Sequence, residues 1–415
     1  MVARAATEGH RVRASGAGHS FSEIALTEGV MVRLDRLDRV LDFDRASGRM
    51  KVEAGIVLGD LNLRLDELGV AFANLGDIDR QTVAGSISTA THGTGRRFRN
   101  VSAQVAAIEL VLADGSTVEL DAASDAQGLR AARVGLGALG VIGAVTIETV
   151  PAYTINRTDR PRPLGEVLSG LDELNAANDH FEFYVFPHTR TALCRESRRT
   201  DEPPCPRGRA LTYLQEVALE NWVAQLFVLG ARRAPAQAPR LARLAARGSG
   251  RSRKVDRSHR VFASERRIRF TEMEYGIPVE RAVEAVRGVI EIASRPAHGV
   301  SFPIEVRFVA ADDAFLSPSF ERDTCYIAVH HDRKLDWRPY LREVETLMRG
   351  LEGRPHWGKR HSLGADELAP LYPGWEEFQR VRARLDPGGV FTNDYTDHVL
   401  GPVDEAHRKA RPSPR

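Results

Sequence analysis

The sequence predicts an α+β protein of two domains, and three observations carry that reading. Residues 1–152 alternate short strands with helices and are rich in glycine. Pro151 closes that stretch, and the composition changes after it. Residues 153–401 place longer helices between strands, and 402–415 form a polar tail with three prolines, read as disordered. A chain of 415 residues is long enough for roughly two or three domains and a large buried core.

Composition excludes several classes. Hydrophobic content of 42% and charged content of 27% are those of a globular protein. A net charge of +2 is too balanced for nucleic acid as the main partner. None of Cys194, Cys205 and Cys325 forms a C-x-x-C pair, which argues against a disulfide framework, a metal site or an iron–sulfur cluster and makes a reducing cytoplasm the default. No apolar run approaches the ~20 residues needed to span a bilayer. Met1 to His10 is not a secretory signal; Val2 to Ala6 reads as the end of a helix stopped by Gly9, which leaves two readings, a start upstream of Met1 or a weakened first sheet edge.

Val12 to Ala14 is read as a strand that feeds Ser15-Gly16-Ala17-Gly18-His19-Ser20-Phe21-Ser22. Two glycines permit a tight turn and a close approach to a ligand, and successive N–H groups in such a turn form an anion site suited to a pyrophosphate. His19 follows the cradle directly, although a polar loop histidine would look the same. Strands are predicted at Val30–Leu34 and Met50–Glu53, and a helix over Leu58–Leu68 that ends at Gly69. In the segment Gly76 to Gly95 small and hydroxylated residues dominate from Ala84 to Gly95, and from Val83 to Thr91 it carries no charge. We read it as a long loop lying against a flat ring system and a phosphate rather than a solvent-facing linker. Val105–Leu112 and Thr117–Leu120 form strands joined by a hairpin at Asp114-Gly115, followed by a strand over Val141–Val150.

Gly135-Leu136-Gly137-Ala138-Leu139-Gly140 matches G-x-G-x-x-G, but it follows a helix-like stretch and precedes a strand. The dinucleotide fingerprint needs the reverse order, which excludes a nicotinamide site there. Farther on, strands are predicted at Phe181–Phe186 and Phe302–Val309, and helices at Leu211–Leu229 and Val279–Ser294. Ala231–Arg269 is basic and is read as a solvated helical excursion. The helix around Trp222 and Phe227 is apolar enough for peripheral membrane contact, with packing against its own domain favoured. Period-two alternation puts Glu305 and Arg307 on one face of their strand, which requires a polar cavity or mutual pairing. In Tyr326 to His331 the two histidines, His330 and His331, must face opposite ways. Lys359 ends His356-Trp357-Gly358-Lys359, placed to point a fixed charge inward or to sit on the surface.

The ordered set G-x-G-H-S, A-G-S-I-S-T-A-T-H-G-T-G, G-A-L-G-V-I-G, E-x-R and H-W-G-K resembles the sugar-1,4-lactone and alditol oxidases, vanillyl-alcohol-oxidase-type flavoproteins, over about residues 10–400. That resemblance implies an FAD-binding domain over 1–152 and, over 153–401, a substrate domain of antiparallel sheet plus helices. It implies that Ser15, Gly16, Ala17, Gly18, His19 and Ser20 cradle the pyrophosphate, with His19 at the position of the 8α-histidyl bond of covalent members. Ser86, Ser88, Thr89, Thr91, His92, Gly93 and Thr94 would line the other side of the cofactor, and Gly140 and Ile142 its adenine end.

It further implies that Glu305, Arg307, His330 and Lys359 are catalytic, with Lys359 also near the flavin ring. Arg307 and Lys359 would be the cations; Glu305 would orient or deprotonate the hydroxyl, with His330 as the competing base. The implied reaction is oxidation of a CH–OH group of an aldono-1,4-lactone by hydride transfer to flavin N5. An alditol is the alternative substrate, and oxygen or a cytochrome- or dye-type carrier is the acceptor, a choice expected to turn on side chains around Ala90 and Thr91. A flavin-binding protein without turnover would not need charges at Glu305, Arg307 and Lys359.

Overall fold

The structure, a computed structural model, describes residues 1–205, 240, 251–263 and 269–403. The helix expected at Leu211–Leu229, with Trp222 and Phe227, most of Ala231–Arg269 and nearly all of the tail lie outside the described residues.

The chain opens with α1 (Val2–Thr7), closed by Gly9 at φ +76°. Strand β1 (Val12–Ser15) then pairs in parallel with β2 (Val30–Arg33). Next come β3 (Val40–Asp44), β4 (Arg49–Glu53), β6 (Val105–Val111), β7 (Thr117–Asp121) and β8 (Val141–Glu148), which form an antiparallel sheet in the order β3-β4-β8-β6-β7. The hairpin between β6 and β7 turns at Gly115, φ +84°. The expected strand Val141–Val150 is split, because Thr149 donates to Gly48 O and β9 (Val150–Pro151) leaves to pair with β5 (Val70–Ala71). Helix α2 (Leu58–Glu67) buries Leu58, Leu61 and Leu65, the three-and-four spacing of one helical face.

One expectation changes here. The uncharged stretch read as a long loop begins as a helix, α3 (Val83–Ser88). Thr82 caps it, its Oγ1 accepting from Gly85 N at 3.2 Å. A threonine before a run of small and apolar residues is a start signal that hydroxyl content had masked. The G-x-G-x-x-G run is a helix-to-strand turn between α4 (Ala126–Ala132) and β8, with Leu136, Gly137 and Gly140 all at positive φ.

The second unit is an antiparallel sheet of eight strands: β10 (Thr154–Pro163), β11 (His180–Val185), β12 (Thr191–Thr200), β13 (Ser252–Arg257), β14 (Thr271–Pro278), β15 (Ile304–Val309), β16 (Thr324–His331) and β17 (Arg354–Pro355). Their order is β13-β10-β12-β11-β15-β16-β14-β17. On one face Phe183, Val306, Ile327 and Met273 join side chains of α5 (Ala282–Ala293) and α6 (Arg338–Gly350) in a buried apolar cluster. The core of the first unit draws on both ends of the chain: Trp357, Phe378, Phe391 and Val399 pack with Val12, Ile87 and Leu139. Buried Arg13 ties these parts together, donating to the carbonyls of Leu136 at 2.7 Å, Phe391 at 2.8 Å and Gly137 at 2.9 Å.

Candidate active site

Strand β1 delivers Ser15 to the mouth of a cavity of about 260 Å³. Gly16 to Ser20 line it together with Thr82, Gly85, Ser88 and Thr89, and with Gly140 and Ile142. The glycines here are requirements. A Cβ on Gly16 would lie 2.2 Å from Thr82 Oγ1, and Gly18 sits at φ +71°. Burial lowers the pKa of His19, opposed by a hydrogen bond with the Arg80 backbone and reinforced by the Lys359 charge.

The hydroxylated segment does not run along this cavity from end to end. Ser88 and Thr89 line it, whereas Ser86 is buried and donates inward to Val83 O at 2.9 Å. Ala90, at φ +60°, reverses the chain, and Thr91 meets the Gln81 side chain at 3.3 Å. His92 is buried against Tyr326, ring centroids 3.6 Å apart, with Nε2 3.1 Å from Glu274 Oε1. Gly93 and Thr94 line a second, smaller cavity against the sheet of the other unit.

That sheet presents a polar face. Across the ladder Glu182 pairs with Arg307, Tyr184 with Glu305, Arg307 with Tyr326, and His330 with Glu272. Residues directly opposite on neighbouring strands share a face, so these side chains gather on the side away from the helices. Arg307 is their hub: Nε lies 2.8 Å from Glu182 Oε2, Nη2 lies 3.3 Å from Asp77 Oδ2, and the guanidinium also pairs with Glu305. Tyr184 donates to Glu305 Oε1 at 3.1 Å, and Arg195 Nη1 to Glu182 Oε1 at 2.7 Å. Burial works against charge at Arg307, but Asp77, Glu305 and Glu182 hold its pKa well above the ordinary value. Burial would raise Glu182, yet Arg307 and Arg195 bring it below the usual carboxylate range.

The loop His356–Lys359 joins cradle and sheet. His356 N donates to Glu274 O and Arg360 N to Glu272 O, both at 3.0 Å, while Phe21 N donates to Gly358 O at 2.7 Å. Trp357, wholly buried, donates to Leu316 O at 2.6 Å. The loop thereby carries Lys359 inward, its Nζ 2.5 Å from Glu272 Oε2 and 5.4 Å from the Phe21 ring centre. Burial opposes the charge on Lys359, but Glu272 and Glu274 raise its pKa. His330 Nε2 stands 3.4 Å from the other Glu272 oxygen; His331 faces the opposite way, bonded to His298 O.

Residues 145–399 match the D-arabinono-1,4-lactone oxidase family. The chain belongs to that family. Residues 1–121 match an FAD binding domain. The L-gulono-1,4-lactone dehydrogenase of Mycobacterium tuberculosis (strain ATCC 25618 / H37Rv) is 48% identical over 402 residues, covering 97% of this chain and 93% of that protein. The L-gulonolactone oxidase of Bos taurus is 33% identical, covering 96% and 92%. The alditol oxidase of a Streptomyces species is 32% identical, covering 93% and 90%. Among solved structures, cholesterol oxidase from B. sterolicum superposes with a TM-score of 0.80 at 16% identity over 96% of this chain and 91% of that one, a likeness of fold alone. The architecture is the α+β vanillyl-alcohol-oxidase-type fold, and the cofactor is FAD.

The cradle fits that cofactor: a Cβ at Gly16 would meet Thr82 Oγ1 and Gly18 sits at φ +71°, so the backbone from Ser15 to Ser20 lies bare against a cavity that Gly140 and Ile142 also line. Sequence reasoning missed Asp77, Glu182, Tyr184, Arg195, Glu272 and Glu274. A signal existed in Thr271-Glu272-Met273-Glu274-Tyr275, where carboxylates alternate with large apolar residues. His92, Glu274 and His356 bring ligand-type atoms within 4.8 Å of one another. Within this group His356 Nδ1 accepts from Gly358 N at 3.0 Å and His92 Nε2 meets Glu274 Oε1 at 3.1 Å.

Proposed function

We propose that this chain is an FAD-dependent oxidoreductase that oxidises a CH–OH group of an aldono-1,4-lactone. The observation that carries the reading is the gathering of buried Glu305 and Arg307 and partly buried Lys359 on one polar face beside the cofactor loop, in a chain that shares 48% identity with a protein named for L-gulono-1,4-lactone. Bound FAD supplies the acceptor of a hydride. Arg307, fixed by three carboxylates, binds the lactone's oxygens and keeps its charge while doing so. Glu305, steadied by the Tyr184 hydroxyl, accepts the proton of the reacting hydroxyl; His330, across from Glu272, is the competing base. Lys359 supplies a fixed positive charge toward the ring end of the cofactor, with His19 at the position for a covalent link.

The lactone reading is preferred to an alditol because the alditol oxidase is the more distant relative, 32% against 48% identical. Oxygen, or a cytochrome- or dye-type carrier, completes the cycle. No helix among the described residues is long and apolar enough to cross a membrane; peripheral contact through the Trp222 region belongs to this proposal. A panel of aldonolactones and alditols, assayed with oxygen and with an artificial acceptor, tests the reading. Turnover of lactones above alditols supports it; turnover of alditols alone refutes it.

A further inference from the structure

The smaller cavity, about 30 Å³, lies against Arg307, Asp77, Glu182, Arg195, Thr94 and His180. Such a volume holds roughly two waters or one hydroxymethyl group. His180 is buried, stacked on Phe98 with ring centroids 4.5 Å apart and met edge-on by Phe262 at 4.8 Å. Its Nδ1 stands 2.7 Å from Thr94 O, and a carbonyl only accepts, so Nδ1 carries the proton. Burial pushes its pKa down to about 4, so the ring is neutral near pH 7. Nε2 is then an acceptor, and it has no hydrogen-bond partner among the described residues. A buried acceptor left in that state is costly, so the chamber is built for a group that donates.

Its charges are already matched. Arg307 and Arg195 both engage Glu182, Arg307 reaches Asp77 as well, and Arg157, the third cation of the lining, pairs with Asp159 at 3.3 Å. A neutral donor therefore suits it better than an ion. Arg307 also forms the wall between this chamber and Glu305, touching the carboxylates on both sides.

We propose that the chamber is a subsite for the hydroxymethyl end of the lactone's exocyclic side chain, with the terminal O–H donating to His180 Nε2. This rests on the lactone reading above. It makes His180 a specificity residue that senses the tail and not the ring.

The test compares a five-carbon aldono-1,4-lactone, which carries a hydroxymethyl tail, with the four-carbon lactone that has the same ring hydroxyls and no exocyclic carbon. His180→Phe should raise KM for the tailed lactone about 5–10-fold, with kcat and the KM of the tail-less lactone within about twofold. Val261→Leu, which fills the chamber from another wall without touching the imidazole's hydrogen bonds, should shift the same ratio and keeps the test open if the histidine variant fails to fold. Unchanged KM ratios in the folded variants would mean the chamber holds only water, and overturn the subsite alone. Turnover of neither lactone by the unaltered protein would overturn the lactone reading and the subsite with it.

Discussion

Gly16→Ala probes the cradle most sharply. An added Cβ would lie 2.2 Å from Thr82 Oγ1, against about 3.5 Å for an unstrained contact. Moving Oγ1 away means rotating Thr82 out of its capping bond to Gly85 N, at a cost of about 0.5–2 kcal/mol. Leaving it in place means displacing the cradle backbone, an overpacking cost of about 1–3 kcal/mol. The cheaper route gives about 1–2 kcal/mol, which, borne by the bound state, weakens FAD about 5–30-fold. Titrating apoprotein with FAD by flavin fluorescence reads this directly. The companion variant Thr82→Ala deletes the clashing oxygen, so Gly16→Ala should cost much less in that background. Equal losses with and without Thr82 would refute the steric argument and assign Gly16 to direct ligand approach.

Two further outcomes are expected. If His19 carries the covalent bond, acid-precipitated protein should retain yellow flavin, and His19→Ala should release it; retention by the variant would place the link elsewhere. Burial lowers His180 and His361 to about 4 and His356 to about 3, from an ordinary 6.5. The unfolded chain takes up these protons first as pH falls, so the stability they contribute is complete above pH ~6.5 and lost between ~6.5 and ~4 for His180 and His361 and down to ~3 for His356, by up to about 1.4 kcal/mol per pH unit for each histidine. Urea midpoints that stay level from pH 7 to pH 5 would contradict this.

The sequence disclosed what local chemistry dictates. Glycines between a strand and a histidine announced the cradle, and period-two alternation put Glu305 and Arg307 together. Alternation also separated His330 from His331. It was silent where the answer depends on what covers a face. Glu272 and Glu274 alternate with Met273 and Tyr275, a pattern that ordinarily describes a strand with one side in water. Here that side is closed over by the cofactor unit, and the carboxylates become partners of Lys359 and His92. Nor did the sequence show that helix α3 and the turn at Ala90 place Ser88 and Thr89 at the large cavity and Gly93 and Thr94 at the smaller one.

The central claim is that Arg307 acts on the lactone and not on the cofactor. Anaerobic mixing with an aldono-1,4-lactone, followed by bleaching of the flavin absorbance in the unaltered protein and in Arg307→Ala, measures it. Reduction should slow by about 100-fold or more, the loss of a charged contact worth about 3 kcal/mol, at unchanged flavin content. Equal loss of reduction rate and bound flavin would make Arg307 a structural residue and contradict the account.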